Sequence, residues 1–269
     1  LSSIGKTDLL DDWLNEIEKM VWDKDARAWV YNLRGWSALD QSNLSLAMHN
    51  FKQAHQLLSE QIMIRPEVAS FSAEKRILEQ ASSLNGLARC LLYMGNLQAA
   101  SNLMFSKQSE SVFAKIGPGM TSIQKDLLLA EIYLENQNLD QARSTLSALQ
   151  RSPMARKHRA IRLEILNLWA EYYMLQQKFT RAIRLLTCIS RSPGVAPMFR
   201  CEYALELVSC LGQVQQYRQA KIALQELEPN LIDEPKLQAR FWKQTALVEY
   251  FLENFTYALQ AAATSLKFW

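Results

Sequence analysis

Glycine and proline are scarce in this sequence of 269 residues, with eight and seven copies. Together they make up under half of their usual share of roughly 12%. Valine is rare as well, since the sequence has 8 valines against 41 leucines. Leucine favours helices, whereas β-branched residues favour strands. The composition therefore predicts an all-α protein.

The sequence also has few of the residues that build metal or catalytic sites. Its four cysteines lack a C-x-x-C spacing, and its three histidines are scattered. No glycine-rich phosphate loop, G-x-S-x-G or H-E-x-x-H motif occurs. We therefore expect no enzyme activity, no cofactor and no metal site. We interpret the cysteines as small buried thiols in a reducing compartment.

Neither the charge nor the length of apolar runs indicates a nucleic acid or a membrane as partner. The formal net charge is +3 and charged residues make up 21% of the sequence, which is too mild for wholesale binding to either. No apolar run approaches the ~18 residues of a membrane span. The first ten residues lack the form of a signal peptide. We expect a cytoplasmic protein, or a nuclear one if eukaryotic, without membrane association.

What the sequence does contain is an internal repeat. The tripeptide Arg-Ser-Pro occurs at 151–153 and again at 191–193. The intervening segment has the pattern of a helical hairpin, with a break at Gln-Gln-Lys-Phe. The same frame fits five other segments, each with an alanine near the start of its second helix. These alanines are Ala47, Ala100, Ala142, Ala182, Ala220 and Ala258, at intervals of 53, 42, 40, 38 and 38 residues.

The residues around these alanines resemble the tetratricopeptide repeat (TPR). The match is sharpest at Gly35, Ala47, Phe51 and Ala54. Apart from the longer first interval, these units are 38–42 residues long, whereas the family's period is 34. The proline that commonly ends each unit of the family is missing or displaced. The long period is similar to the arrays of bacterial signal-responsive transcription activators, or of large eukaryotic assembly subunits.

This resemblance implies a right-handed superhelical solenoid of about six helical hairpins. We place an N-terminal helix at 1–26, as a cap or the remnant of an earlier repeat, and the solenoid at 27–269. We also predict one long helix from Ala73 to Met94 and a long connection without helix over 109–122. The predicted hairpin units lie near 27–62, 73–108, 121–151, 158–191, 198–229 and 235–269.

In the TPR family the first helices of the hairpins line a concave groove, which the resemblance implies here too. With each alanine counted as position twenty, partner contacts are expected at positions two, five, nine and twelve. One end of this groove is apolar and rich in tryptophan, and its middle section contains several carboxylates. Both features favour a basic or amphipathic peptide as the partner. Alternatively, Trp29 and Trp36 only pack between neighbouring helices. The candidates are Trp29, Asn32, Trp36, Asn85, Arg89, Glu131, Asn167 and Glu171.

A second candidate site is the basic segment 151–162, which contains no acidic residue. Such a segment can bind phosphate, RNA or an acidic partner. It lacks the interleaved aromatic residues that stack bases, and a solvated basic surface is the simpler interpretation. RNA binding is therefore the weakest of our functional hypotheses. The charges in question are Arg156, Lys157, Arg159 and Arg162.

These observations predict a non-enzymatic module that binds another protein or peptide, or a separate domain of its own full-length chain. It would belong to a larger regulatory or assembly protein. The alternative is an effector-sensing domain of a bacterial transcription activator, in which a small effector or an inhibitory protein shifts the packing of the array. A DNA-binding segment in the same polypeptide would favour this alternative.

Overall fold

The computed structural model describes residues 12–17, 23–41, 43–59, 72–193, 195, 197–227 and 234–268. Across these ranges the chain consists of helices and the turns between them, without any β-strand, which confirms the predicted all-α class. Residues 12–17 are helical. Most of the remaining N-terminal helix predicted at 1–26 lies outside the described residues.

Contacts divide the chain into two compact units, Leu1–Thr145 and Leu146–Trp269, and the boundary falls within helix α7. The helices of the first unit are α1 (Lys24–Asp40), α2 (Leu44–Ser59), α3 (Ala73–Tyr93), α4 (Leu97–Met104), α5 (Lys107–Phe113) and α6 (Met120–Glu135), followed by α7 (Leu139–Arg151). The helices of the second unit are α8 (Pro153–Lys157), α9 (Arg159–Leu175), α10 (Phe179–Ser190), α11 (Pro197–Gln213), α12 (Tyr217–Gln225), α13 (Pro235–Phe251) and α14 (Phe255–Leu266). Within each unit, helices pack against their neighbours in sequence order.

The same turn joins the two helices of every hairpin. In the first hairpin the Asn43 N–H donates to the Ala38 carbonyl at 2.8 Å. This bond spans five residues and is the outer bond of a Schellman cap, which satisfies a free carbonyl at the end of the first helix. The equivalent donors in the other five hairpins, at 2.8–2.9 Å from their acceptors, are Asn96, Asn138, Lys178, Gln216 and Asn254.

One residue of this turn has a left-handed backbone. Such a conformation costs a residue with a Cβ roughly 1–2 kcal/mol, and glycine is the usual occupant. Only one of the five described positions is glycine, so the turn is imposed by the packing of the two helices. The residues are Gly95, Gln137, Gln177, Gln215 and Glu253, with φ between +56° and +76°.

The predicted alanine is the fourth residue of the second helix in all six hairpins. Five of the six side chains are fully buried and Ala258 is 7% exposed. A side chain of this size lets the second helix lie close to the first. In the five hairpins where it is described, the left-handed residue precedes the alanine by five positions, so one local frame recurs in both units.

In the first unit, glycines replace side chains around one aromatic ring. Phe51 of α2 is fully buried. A Cβ atom built on Gly35 of α1, or on Gly86 of α3, would overlap this ring. Glycine inside a helix costs about 1 kcal/mol relative to alanine. Here that cost is offset because three helices pack directly onto a large buried side chain.

The core of the second unit is a continuous apolar cluster that extends from Ala170 of α9 to Val248 of α13. The middle of this cluster is supplied by α11, where seven apolar side chains between Cys201 and Leu211 are buried. Helix α11 contacts α10, α12 and α13. It is therefore the central helix of this unit.

The predicted long helix is observed as α3, but the predicted connection over 109–122 is partly wrong. Residues 107–113 form the short helix α5. The side chain of Ser106 accepts a hydrogen bond from the N–H of Ser109 at 3.2 Å, which caps the start of this helix. Val112 is buried against α3 residues. A serine cap and one buried apolar side chain are enough to stabilise two turns of helix. A repeat pattern in the sequence does not reveal such local features.

The cysteine prediction needs one correction, because Cys188 is exposed while Cys90, Cys201 and Cys210 are buried. On α10 the buried stripe is Ala182, Leu186 and Ile189, and a residue two places after Leu186 points away from it. Burial raises the pKa of Cys90 to about 11 and that of Cys210 to about 12. Both thiols are therefore protonated at neutral pH.

None of the described helices combines the length with the apolar character that crossing a bilayer requires.

The left-handed turns give a first prediction. Gln177→Gly should raise the free energy of unfolding by about 0.5–1 kcal/mol, because glycine removes the strain of φ +58°. Gly95→Ala should lower it by about 1 kcal/mol through the backbone alone, since no atom would touch the added Cβ. Urea unfolding measures both changes.

Gln176→Gly is the matched control, because this neighbouring residue has an ordinary φ of −82° and the variant should lose stability. A loss of stability in Gln177→Gly would show that the left-handed backbone is not strained.

Candidate binding surfaces

The tryptophans of α1 differ in their surroundings. The indole Nε1 of Trp36 donates to Ser82 Oγ of α3 at 3.0 Å. Its ring meets Phe51 edge to face, with 5.1 Å between centroids. Trp29 is half-buried, and Lys75 Nζ lies 6.0 Å from its ring centroid. The contacts of Trp36 thus favour the packing interpretation, while Trp29 keeps part of its surface in solvent.

Asn32 and Asn85 connect successive first helices of the first unit. Asn32 Nδ2 donates to the carbonyl oxygen and to Oε2 of Glu79, each at 2.9 Å. Asn85 Nδ2 donates to the carbonyl oxygen of Thr121 on α6 at 3.3 Å. Glu79 and Thr121 are equivalent in the repeat register. Each asparagine is only 2% exposed, which favours a role in joining helices.

The remaining groove candidates are half-buried and lie in different units. Arg89 and Glu131 lie on α3 and α6 of the first unit, and Asn167 and Glu171 lie on α9 of the second. Six of the eight predicted groove residues therefore belong to the first unit and two to the second.

The charged side chains of the basic segment lie in solvent. Its four predicted residues are exposed, two of them on α8 and two on α9. Arg156 Nε donates to the Gln150 carbonyl at 3.2 Å. Among the described residues, no carboxylate lies within 4 Å of these four cations. The exposed cations can bind an anion, but their arrangement does not favour a particular kind of anion.

A face that only partly overlaps the predicted groove positions lies on α11 of the second unit. Glu202 and Glu206 are four residues apart, so their carboxylates lie on the same side of the helix. Both side chains are half-buried. Within the described part of the chain, no hydrogen bond or ion pair within 4 Å reaches either carboxylate. We call this pair, together with Arg240 of α13, the acidic face.

Burial dominates the electrostatics of the acidic face. Desolvation raises the pKa of Glu206 to about 7; Arg240 opposes this rise, and the charge of Glu202 adds to it. Desolvation also raises the pKa of Glu202, again against the pull of Arg240. Near Glu202, Lys236 adds to the pull of Arg240 and the charge of Glu234 opposes it. Two cations therefore act on carboxylates that have lost part of their water. The repeat register places Glu202 at position two, but position six, where Glu206 lies, is not among the expected contact positions.

The second unit also contains a cavity of about 810 Å³ between α12, α13 and α14. Lys221 Nζ lies 2.9 Å from Glu249 Oε1 on one wall. Asn254 Nδ2 donates to the other carboxylate oxygen at 2.6 Å. Burial alone would raise the pKa of Glu249, but these two partners outweigh burial and lower it. The aromatic lining residues are Phe241, Trp242, Phe255 and Tyr257.

The repeat explains why this cavity is open. Lys221, Thr245 and Glu249 line the cavity, whereas the equivalent places 38 residues earlier are apolar and closely packed. Polar side chains have thus replaced the apolar seam between consecutive hairpins. The apolar equivalents are Ile183, Leu207 and Leu211.

No group of acidic, histidine or cysteine side chains in the described ranges has the arrangement of a metal site. Comparison of the sequence with protein-family models found no match, and comparison with curated proteins found none either.

Glu206 provides a prediction about pH. Because folding raises its pKa from 4.5 to about 7, the half-buried carboxylate destabilises the fold once it ionises. This penalty is absent below pH 4.5, grows between pH 4.5 and 7, and is complete above. Glu206→Gln should therefore gain about 2–3 kcal/mol over the native chain at pH 8 and little at pH 4.5. Chemical denaturation at the two pH values measures the difference.

Glu226→Gln is the matched control, because Glu226 is an exposed glutamate in the same unit. It should have the stability of the native chain at pH 8. If Glu206→Gln shows no gain at pH 8, then Glu206 is not desolvated as described.

Proposed function

We propose that the chain is a TPR-like helical-repeat array, a right-handed superhelical solenoid of about six hairpins, that serves as a non-enzymatic protein-interaction module. The recurrence of one turn and one buried alanine in six hairpins supports the repeat. The proposal keeps the units near 27–62, 73–108, 121–151, 158–191, 198–229 and 235–269, and it places the protein in a reducing cytoplasmic compartment.

The acidic face carries the functional part of this proposal. Glu202 and Glu206 lie on a first helix, which is the helix that contacts partners in TPR arrays. The carboxylates of Glu202, Glu206 and the nearby Glu234 outnumber the cations Arg240 and Lys236. They retain negative charge that a further cation can neutralise. A lysine or arginine of a partner would be attracted here, while an acidic segment would be repelled. The proposed partner is therefore a basic or amphipathic peptide of another protein, or of another domain of the same chain.

A second candidate function, sensing of a small effector within a transcription regulator, is favoured by the cavity of the second unit. Its aromatic walls and its ion pair between the half-exposed Lys221 and the buried Glu249 have the composition of a ligand site. A molecule bound there would contact three helices and change their packing. The exposed basic segment leaves RNA binding as a third, weaker proposal.

Peptide binding tests the acidic face directly. A labelled amphipathic peptide of lysine and leucine should bind, and its counterpart with glutamate in place of lysine should not. Glu202→Gln combined with Glu206→Gln should weaken the dissociation constant about tenfold or more. Binding by the native chain should also weaken from pH 8 to pH 6, because Glu206 takes up a proton in that range. Fluorescence anisotropy measures each effect.

The control is again Glu226→Gln, which should bind as tightly as the native chain. Since the double variant is expected to fold at least as stably at pH 8, weaker binding cannot result from unfolding. Equal binding of the lysine peptide by the double variant and the native chain would exclude the acidic face.

A further inference from the structure

Helix α14 carries an exposed apolar stripe that no helix of the described ranges covers, and its first residue, Phe255, also lines the edge of the cavity in this unit. Phe255, Leu259, Ala262 and Leu266 follow each other at intervals of four, three and four residues, which is the spacing of a coiled-coil seam. All four are exposed, and Leu259 and Leu266 reach 74%. The side of α14 that packs on its own hairpin contains Ala258, Ala261 and Ser265. The stripe is thus a second, separate apolar face.

The stripe continues onto α13. The Tyr250 ring meets the Phe255 ring edge to face at 5.6 Å between centroids. Tyr250 and Leu247 are both exposed, and they lie three residues apart on one side of α13. We call the six side chains of α13 and α14 the end face. They are Leu247, Tyr250, Phe255, Leu259, Ala262 and Leu266.

The repeat shows what such a face contacts. In the register of the hairpins, Phe255 and Leu259 correspond to Phe179 and Ile183 of α10. Those two side chains pack against the core cluster to which α11 contributes, and α10 contacts α11 directly. The equivalent face of α14 therefore has the shape and chemistry that receive a helix.

One difference from the other hairpins indicates which helix the end face receives. The side chain that packs towards the next helix lies four residues after the repeated alanine. It is large and buried at Phe51, Met104, Leu186 and Leu224. In α14 it is Ala262. An antiparallel pair of α14 helices related by a two-fold axis would place Leu259 of one chain over Ala262 of the other, and Phe255 over Leu266. Each large side chain would meet a smaller or complementary one, so the stripe is complementary to itself.

Charge and area agree with self-association. Helix α14 has no ionisable side chain from Phe255 to Leu266 other than the phenol of Tyr257, so no formal charge on it repels an identical helix or requires an oppositely charged partner. The five large side chains of the end face expose on the order of 600 Å² per chain. A standard protein interface buries about 800 Å² per partner, so these side chains supply roughly three quarters of that area.

We propose that the end face binds a second copy of this chain, through antiparallel α14 helices, to form a two-fold symmetric dimer. The proposal is independent of the acidic face, which lies on α11.

Sedimentation velocity over a range of concentrations tests the proposal. The native chain should sediment as a dimer that dissociates on dilution. Leu259→Glu and Leu266→Glu should each raise the dimer dissociation constant at least about 30-fold. Ile222→Glu is the matched control, because Ile222 of α12 is a 55% exposed side chain outside the end face, and it should leave the dimer intact. Circular dichroism checks that every variant remains helical.

A cross-linking experiment tests the antiparallel geometry. In a Cys188→Ser background, chains with Phe255→Cys are mixed with chains with Leu266→Cys and treated with a short bis-maleimide reagent. The proposed geometry brings these two positions together, while like positions stay on the order of 16 Å apart along the helix. The mixture should yield more cross-linked dimer than either chain alone. A native chain that stays monomeric up to its solubility limit, or a dimer that survives both glutamate substitutions, would overturn the proposal, as would equal cross-linking in all three samples.

Discussion

Close approach of helices at small side chains is the constraint on which this structure depends. Two helices joined by a short turn can share one buried layer only if the second helix comes near the first at its start, and an alanine occupies that point in all six hairpins. The same requirement explains why Gln137, Gln177, Gln215 and Glu253 tolerate a left-handed backbone. The helices of the first unit approach each other most closely around Phe51, where Gly35 and Gly86 leave room for the whole ring.

The polar residues of the first helices follow from this packing. When first helices lie side by side, a side chain between them must either be apolar or satisfy its hydrogen bonds across the gap. Asn32 and Asn85 do the latter with their Nδ2 groups, which donate to the next first helix, whereas the buried Oδ1 atom of each accepts no hydrogen bond from the described residues. Glu202 and Glu206 have no such partner in the described chain, and desolvation raises their pKa values. That contrast separates polar groups that hold the array together from those we propose for binding.

The sequence predicted the hairpins well because their determinants are local and repeated. The sequence alone shows these determinants: an alanine at a fixed place, a polar break before it and large residues on either side. Helix α5 was missed because a serine cap and the burial of Val112 are single events. The site was harder to predict, since position in a repeat does not tell whether an asparagine faces a partner or the next helix. Glu206 escaped notice because its importance comes from desolvation between helices, which the sequence pattern does not show.

The most direct measurement of the central claim is the stability of a chain that lacks its last hairpin, residues 234–269. If hairpins are coupled only to their neighbours, the shortened chain should keep the helical content expected for its remaining residues. It should then unfold in urea at a lower midpoint, with a proportionately smaller denaturant dependence. Loss of helical signal throughout the shortened chain would instead show that stability resides in one indivisible core, and it would contradict the coupling of each hairpin to its neighbours alone.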